Sequence, residues 1–213
     1  SFYKTGGTYN AGTNTTFSGA NCAYDVNGGS QTFNNVTISM STNYSLGLSD
    51  DIMVVAGTLT LTEGGVSAGT IDTRGDINQA LNFDGGSAIL DFGDNGVVQT
   101  YTSNGGYGPV LRFDNAADAN DRVELTANAG LSGLTITALF GDANTVPFTY
   151  NNHDLVIAGA NPSFSQASGI FNAPTNITHW GTLNQTSFYK TGGTYNAGTN
   201  TTFSGANCAY DVN

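Results

Sequence analysis

The chain carries an internal repeat that limits which folds are open to it. Residues 1–27 read SFYKTGGTYNAGTNTTFSGANCAYDVN, and residues 187–213 are identical to them. An unbroken match of this length excludes chance, and the period of the repeat is the interval from Ser1 to Ser187. The sequence therefore holds one full unit, residues 1–186, and the start of the next, residues 187–213. Repeats with a fixed period are typical of arrays, solenoids and fibres.

Two interpretations of the second copy stay open. The chain is a slice of a long tandem array, or the extra copy completes a neighbouring fold, as a donated strand does. The perfect identity of the copies favours the array. We therefore expect the coils to stack across the boundary without a break, with residues 187–213 repeating the conformation of residues 1–27.

The composition predicts an ordered all-β protein. The chain has 29 Thr, 25 Asn and 29 Gly, and only 10% of its residues are charged. Thr favours strands, whereas Asn and Gly favour turns. A hydrophobic content of 38% with 12 Phe and 10 Tyr is too high for a disordered chain.

The charge argues against two classes of partner. The net charge is −11, and a surface this acidic repels the phosphates of nucleic acids and of anionic lipids. No apolar run is long enough for a membrane helix. No signal peptide opens the sequence, so we expect any secretion signal to lie outside this window.

Apolar residues alternate with polar ones in short runs separated by turns. In one such run Val36, Ile38 and Met40 alternate with Thr and Ser, which predicts a strand with one buried face. The runs line up in nearly even steps at Val36, Leu59, Leu81, Leu111, Leu134, Leu155 and Ile177. The one longer step, before Leu111, implies an insertion or a miscounted turn.

The common step of about 22 residues fits three short strands with their turns, which is one coil of a β-solenoid. The unit of residues 1–186 then makes about eight coils and rises roughly 40 Å along the axis. The alternative fold is a tandem array of β-sandwiches.

The stretches GGTYNAGTNTTFSG, YDVNGGSQTFNNVTIS and AGTLTLTEGGVSAGTI resemble the Thr/Asn/Gly-rich repeats of very large bacterial surface proteins and adhesins. The resemblance covers roughly residues 7–71 and the copy at 193–213. It implies an extracellular location, a β-solenoid or related β-rich stalk, and no catalytic residues.

Histidines are the first candidates for chemistry. His153 stands in NNHD and His179 in THWG, without any of the usual hydrolase or zinc motifs around them. We expect Trp180 to anchor a corner of the solenoid. The sequence therefore predicts no enzyme and assigns no catalytic, cofactor-binding or metal-binding residue.

Acidic clusters and one cysteine leave alternatives open. Asp91 and Asp94 are the favoured pair for a calcium site, although Asp-rich loops are also ordinary turns, and a second acidic group is formed by Asp114, Asp118, Asp121 and Glu124. Cys22 and Cys208 are one position in successive units. One cysteine per unit excludes a disulfide within it, and the residue is either a small buried hydrophobe or a cross-link between chains.

These observations predict a structural or adhesive array on a bacterial surface: a stalk, filament or matrix fibre. Its partners are neighbouring copies of the same repeat, with surface glycans as a further candidate. The alternative function is a carbohydrate-binding or carbohydrate-active β-helix.

Overall fold

A computed structural model describes residues 1–92, 97–113, 122–136, 148–149, 151–158, 164–181, 186–206 and 209–212. These residues form β-strands and turns and no helix. Accordingly, this part of the chain has no helix that could cross a membrane. The strands are β1 Phe2–Tyr3, β2 Asn14–Gly19, β3 Tyr24–Asp25, β4 Ser30–Phe33, β5 Asn35–Met40, β6 Ser45–Gly47, β7 Ile52–Val55, β8 Leu59–Ser67, β9 Thr70–Thr73, β10 Ile77–Gln79, β11 Phe83–Gly85, β12 Ile89–Phe92, β13 Val98–Ser103, β14 Gly108–Phe113, β15 Arg122–Leu125, β16 Ala129–Ile136, β17 Phe148–Thr149, β18 Leu155–Ala158, β19 Phe164–Gln166, β20 Ile170–Asn172, β21 Asn176–Gly181, β22 Thr186–Lys190, β23 Thr194–Asn196, β24 Asn200–Gly205 and β25 Ala209–Val212.

The strands wind into a β-solenoid with three sides. Side A runs from β2 through β5, β10 and β13 to β17, and side C runs from β4 through β7, β9 and β12 to β14 and β25. Side B lies between them in chain order and includes β6, β11, β18, β21 and β24. Every strand pair formed by the described residues is parallel, which confirms the solenoid and excludes the sandwich.

The predicted coil length of about 22 residues is confirmed, with variation from coil to coil. Residues paired between strands lie one coil apart in the sequence. The coil that joins Met53 to its partner Ile71 is short, whereas the coil that joins Leu131 to Ile157 is longer. The longest interval joins Leu134 to Phe164.

One member of the predicted strand series is wrong. Leu81 is 67% exposed because it lies in the turn after β10. The residue paired with Leu59 is instead Ile77, and the residue paired with Leu111 is Leu90. The series also mixes the sides, since Val36 and Leu59 lie on side A, whereas Leu111 and Ile177 do not. The long step before Leu111 is therefore an error of phase and not an insertion.

A continuous apolar core runs inside the coils. In β5 every second residue is buried, as the alternation predicts. The core also contains buried glutamines, whose side-chain amides donate hydrogen bonds to backbone carbonyls near the turns. For example, Gln99 donates from Nε2 to the carbonyls of Thr73 (3.0 Å) and Gly75 (2.7 Å). Because each buried donor meets an acceptor, these polar side chains are tolerated inside the solenoid.

Candidate functional site

The two copies of the repeated segment share much of their local structure, although residues 194–196 form β23 and the corresponding residues 8–10 form no strand. Strand β24 begins and ends at the residues that correspond to those of β2, and Phe188 pairs with Tyr210 as Phe2 pairs with Tyr24. Backbone angles agree as well, since φ is 95° at Gly19 and 97° at the corresponding Gly205. The division into a unit of residues 1–186 and a second unit from 187 stays a prediction.

The copies nevertheless lie on different sides of the solenoid. Strand β2 belongs to side A, whereas the identical β24 belongs to side B. On side C, successive partners lead from Tyr210 back to Gln31 in eight steps, and Tyr24 precedes Gln31 by one side. One period therefore makes eight and one third turns, so equivalent residues are displaced by one side.

Residues that are buried in the first copy are exposed in the second. Phe17, Tyr24 and Val26 are 5%, 0% and 8% exposed. The corresponding Phe203, Tyr210 and Val212 are 42%, 64% and 46% exposed. The difference arises because the coil formed by residues 28–55 covers the first copy. We call the uncovered face of the second copy the end surface, formed by Tyr195, Thr201, Phe203, Tyr210 and Val212 around a cavity of about 330 Å³.

Below the end surface, aromatic rings stack from coil to coil. Phe188 stacks between Phe164 and Tyr210, with centroids 4.9 Å apart on each side. Phe171 stacks on Tyr195 at 5.4 Å, and His179 on Phe203 at 5.2 Å. Each stack joins residues of the first unit to the repeated segment. The contact between units is therefore an aromatic core of parallel rings.

Polar contacts fix the coil of residues 28–55 on the first copy. Both carboxylate oxygens of the buried Asp51 accept hydrogen bonds at 2.6 Å, from the amides of Val26 and Gly28. The Tyr24 hydroxyl donates to the carbonyl of Ile52 at 2.6 Å. These contacts give the packing of residues 28–55 on residues 1–27 a geometric specificity that apolar stacking alone lacks.

His179 is fully buried in the aromatic core, with Nε2 3.3 Å from the Tyr195 hydroxyl. Burial lowers the pKa of His179 from 6.5 to about 4, because desolvation disfavours the charged imidazolium. The unfolded chain binds the proton more readily than the folded one. The stability linked to the neutral form of His179 is therefore fully present above about pH 6.5 and is lost as the pH falls towards 4.

We expect this histidine to cost about 3 kcal/mol of unfolding free energy between pH 7 and pH 4. Denaturation curves of the parent and of His179→Phe, measured at matched pH values, isolate the effect by difference. A His153→Phe variant serves as the control, because His153 lies in the segment before β18, outside this core. A pH-independent difference between parent and His179→Phe would contradict the assignment.

Trp180 and Cys22 are two further candidates from the sequence. Trp180 does not anchor a corner: it lies within β21, is 46% exposed and points outward, because its neighbour His179 takes the inward position. Cys22 is half-buried against the core and donates from Sγ to the carbonyl of Ser18 at 3.1 Å, whereas Cys208 lies outside the described residues.

The acidic residues proposed for calcium are only partly described. Asp91 forms an ion pair with Arg112 at 2.5 Å, and Glu124 lies in β15. Asp94, Asp114, Asp118 and Asp121 lie outside the described residues. Among the residues that the structure describes, no three His, Cys, Asp or Glu side chains form a group that could hold a metal ion.

Sequence reasoning did not identify the residues that pack against the two copies of the repeated segment: Asp51 contacts the first copy, and Phe164 and Phe171 contact the second. In the sequence, Asp51 resembles any other turn residue, and Phe164 and Phe171 resemble ordinary core residues. Their spacing carries a signal, since Phe164 and Phe188 are separated by one coil, as are Phe171 and Tyr195. Aromatic residues recurring at the coil period predict stacked rings.

Comparison with known proteins gives no match for this chain among family models, curated proteins or solved structures. The junction is therefore interpreted from its own geometry.

Proposed function

We propose that the chain is part of a tandem array that forms a stiff rod outside a bacterial cell, as a stalk, filament or matrix fibre with a structural or adhesive role and no catalysis. One observation carries the proposal: β22, β23 and β24 of the repeated segment pair in parallel with β19, β20 and β21 of the first unit, so both belong to one solenoid. Units that stack coil on coil in this way form a continuous array.

The extracellular location is supported by the resemblance to the repeats of large bacterial surface proteins. The small share of charged residues and the Thr- and Asn-rich composition agree with this location. In such an array each unit covers the end of the preceding one, so that neither apolar surface nor strand edges stay open. The partners are then neighbouring copies of the repeat.

Chains of one, two and three units test this function. Each added unit should lengthen the particle by roughly 40 Å in electron micrographs, because about eight coils add about 4.8 Å each. The particles should stay straight across the junctions. Separate globules joined by flexible segments would contradict the rod.

Two exposed aromatic rings on side B favour glycan binding as a second function. Tyr107 and Trp180 lie at either end of a half-buried row of consecutive partners, Gly130, Val156 and Thr178. Exposed rings suit the apolar faces of sugars, and the Thr178 hydroxyl suits their hydroxyl groups. Binding to a panel of polysaccharides, with Trp180→Ala as the comparison, tests this candidate: equal binding by both chains, or none by the parent, would reject it.

A further inference from the structure

Polar side chains form a ladder at the corner where the chain enters side B. Asn128 Oδ1 accepts a hydrogen bond at 3.0 Å from the backbone amide of Asp154, which lies in the next coil. Asp154 Oδ1 accepts from Asn176 Nδ2 at 2.8 Å. Asn176 Oδ1 accepts in turn from Asn200 Nδ2 at 2.8 Å. Each of these side chains is thereby held in place by a neighbouring coil.

The ladder leaves two polar groups open at the end that comes first in the chain. Among the described residues, Asn128 Nδ2 has no acceptor and Asp154 Oδ2 has no donor. Asn176, by contrast, uses both its amide nitrogen and its oxygen within the ladder. An open N–H donor and an open carboxylate oxygen therefore belong to side chains in adjacent coils at one corner.

These two side chains border an open cavity in the middle of the solenoid. Asn128 and Asp154 line it together with Tyr107, Gly130 and Val156, and its volume is about 410 Å³. The ring of Tyr107 is 43% exposed and lies against Gly130, where an added Cβ would come within 3.1 Å of Tyr107 Cδ1. Cavities of this size, lined by an aromatic ring and a few polar groups, suit small ligands.

We propose that this cavity is a binding subsite for one unit of a neutral sugar. The inference deepens the glycan binding proposed above as a second function and rests on it. Sugar hydroxyls both donate and accept hydrogen bonds, so two neighbouring hydroxyls can donate to Asp154 Oδ2 and accept from Asn128 Nδ2. The C–H face of the sugar ring then packs on the ring of Tyr107.

The charge of the cavity selects against acidic sugars. Asp154 lines the cavity, none of the other lining residues is cationic, and the net charge of the chain is −11. A uronic acid would bring a second carboxylate next to Asp154, and like charges at short range repel each other. The expected ligand class is therefore a neutral hexose with two neighbouring free hydroxyls.

Sugar titrations followed by NMR test the subsite. The probes are the methyl glycosides of glucose, galactose and mannose, with glucuronic acid as the acidic comparison. A single subsite with few contacts binds weakly, so the titrations extend to concentrations on the order of 100 mM. We expect a neutral glycoside to shift the side-chain amide resonance of Asn128. No shift with any of these glycosides, or an equal shift with glucuronic acid, overturns the inference.

Two conservative variants keep the ladder and change the open groups. Asp154→Asn retains an oxygen for the bond from Asn176 but replaces the open oxygen by an N–H donor. Asn128→Asp retains the acceptor and removes the open donor. Each should weaken sugar binding about tenfold, because a sugar hydroxyl then meets a group of the wrong polarity. Unchanged binding by either variant would contradict the subsite.

Asp76→Asn is the matched control for the change of charge. Asp76 Oδ1 accepts a hydrogen bond at 2.8 Å from the Thr100 amide of the next coil, as the acceptors of the ladder do, and Asp76 lies outside the cavity. This variant should bind sugar as the parent does. An equal loss in Asp76→Asn and Asp154→Asn would show that the overall charge, and not the cavity, governs binding.

The outcomes separate the subsite from the proposed functions. Trp180 lies outside the cavity, so Trp180→Ala should reduce polysaccharide binding and leave the binding of a single glycoside unchanged. Loss of glycoside binding in this variant would overturn the subsite. Polysaccharide binding that depends on Trp180, without any glycoside in the cavity, would leave glycan binding standing and remove only the subsite. Chains of one, two and three units report on the rod in every case.

Discussion

Replacing Gly86 by Ala is expected to destabilise the solenoid by about 4 kcal/mol. Gly86 has φ at +122°, which side chains rarely adopt, and a Cβ there would overlap the backbone of Val66 in the preceding coil. Backbone cannot move aside as a flexible side chain does, so the coils must separate locally. Denaturant unfolding of the parent and the variant measures the loss.

Gly28→Ala is the matched control. Gly28 also has a positive φ, +76°, but open space surrounds the position of the added Cβ. Its substitution should therefore cost only the backbone strain, about 1 kcal/mol. Equal losses in the two variants would show that the close approach of the coils at Gly86 contributes nothing.

Replacing Asp51 by Ala is expected to cost about 4 kcal/mol, because the amides of Val26 and Gly28 lose their acceptor. The Val26 amide is buried and expensive to leave without an acceptor, and hydrogen bonds to a charged group exceed neutral ones in strength. Asp51→Asn keeps one acceptor oxygen and should cost about half as much. Thermal or denaturant unfolding measures both variants.

The neighbouring Asp50 controls for the loss of charge. It is exposed, and its φ of +63° is one that asparagine adopts readily. Asp50→Asn makes the same charge change as Asp51→Asn and should leave stability nearly unchanged. If the two variants are equally stable, the carboxylate of Asp51 does not hold the coil.

The sequence predicted the fold well where polar and apolar residues alternate. Val36, Ile38 and Met40 are buried as the period of two requires, and the coil length follows from strands and turns of ordinary size. Leu81 shows the limit of this reasoning. Its couple with Phe83 has the spacing of a strand, but the chain turns between β10 and β11, and only Phe83 is buried.

Interior glutamines could not be predicted from hydrophobic pattern. Gln79 and Gln99 occupy inward positions on side A. A pattern that counts glutamine as polar places it outside, whereas in the solenoid its amide satisfies carbonyl groups of adjacent turns. The signal is visible only once the coils are stacked.

The size of the rotation between copies was also beyond the sequence. It depends on the sum of all coil lengths, which vary from the short coil between Met53 and Ile71 to the long one between Leu134 and Phe164. If one coil gains or loses a single side, every later strand moves to another side of the solenoid. Sequence period alone sets the length of a unit but not its orientation.

In an array, equivalent residues of successive units are rotated by one third of a turn, so they follow a helical path around the solenoid axis. A residue such as Trp180 would appear on a different side in each successive unit and return to the same side after three units. The aromatic stacks and the Asp51 contacts must then fit at each junction in the same way, because every junction has the same sequence.

The structure of a two-unit chain, determined by crystallography or electron microscopy, tests the account most directly. We predict an unbroken parallel solenoid in which Phe203 and Tyr210 become as buried as Phe17 and Tyr24. Equivalent residues of the two units should be related by a rise of roughly 40 Å and a rotation of one third of a turn. A junction in which Phe203 and Tyr210 stay exposed, or in which the second unit folds as a separate body, would contradict the continuous rod.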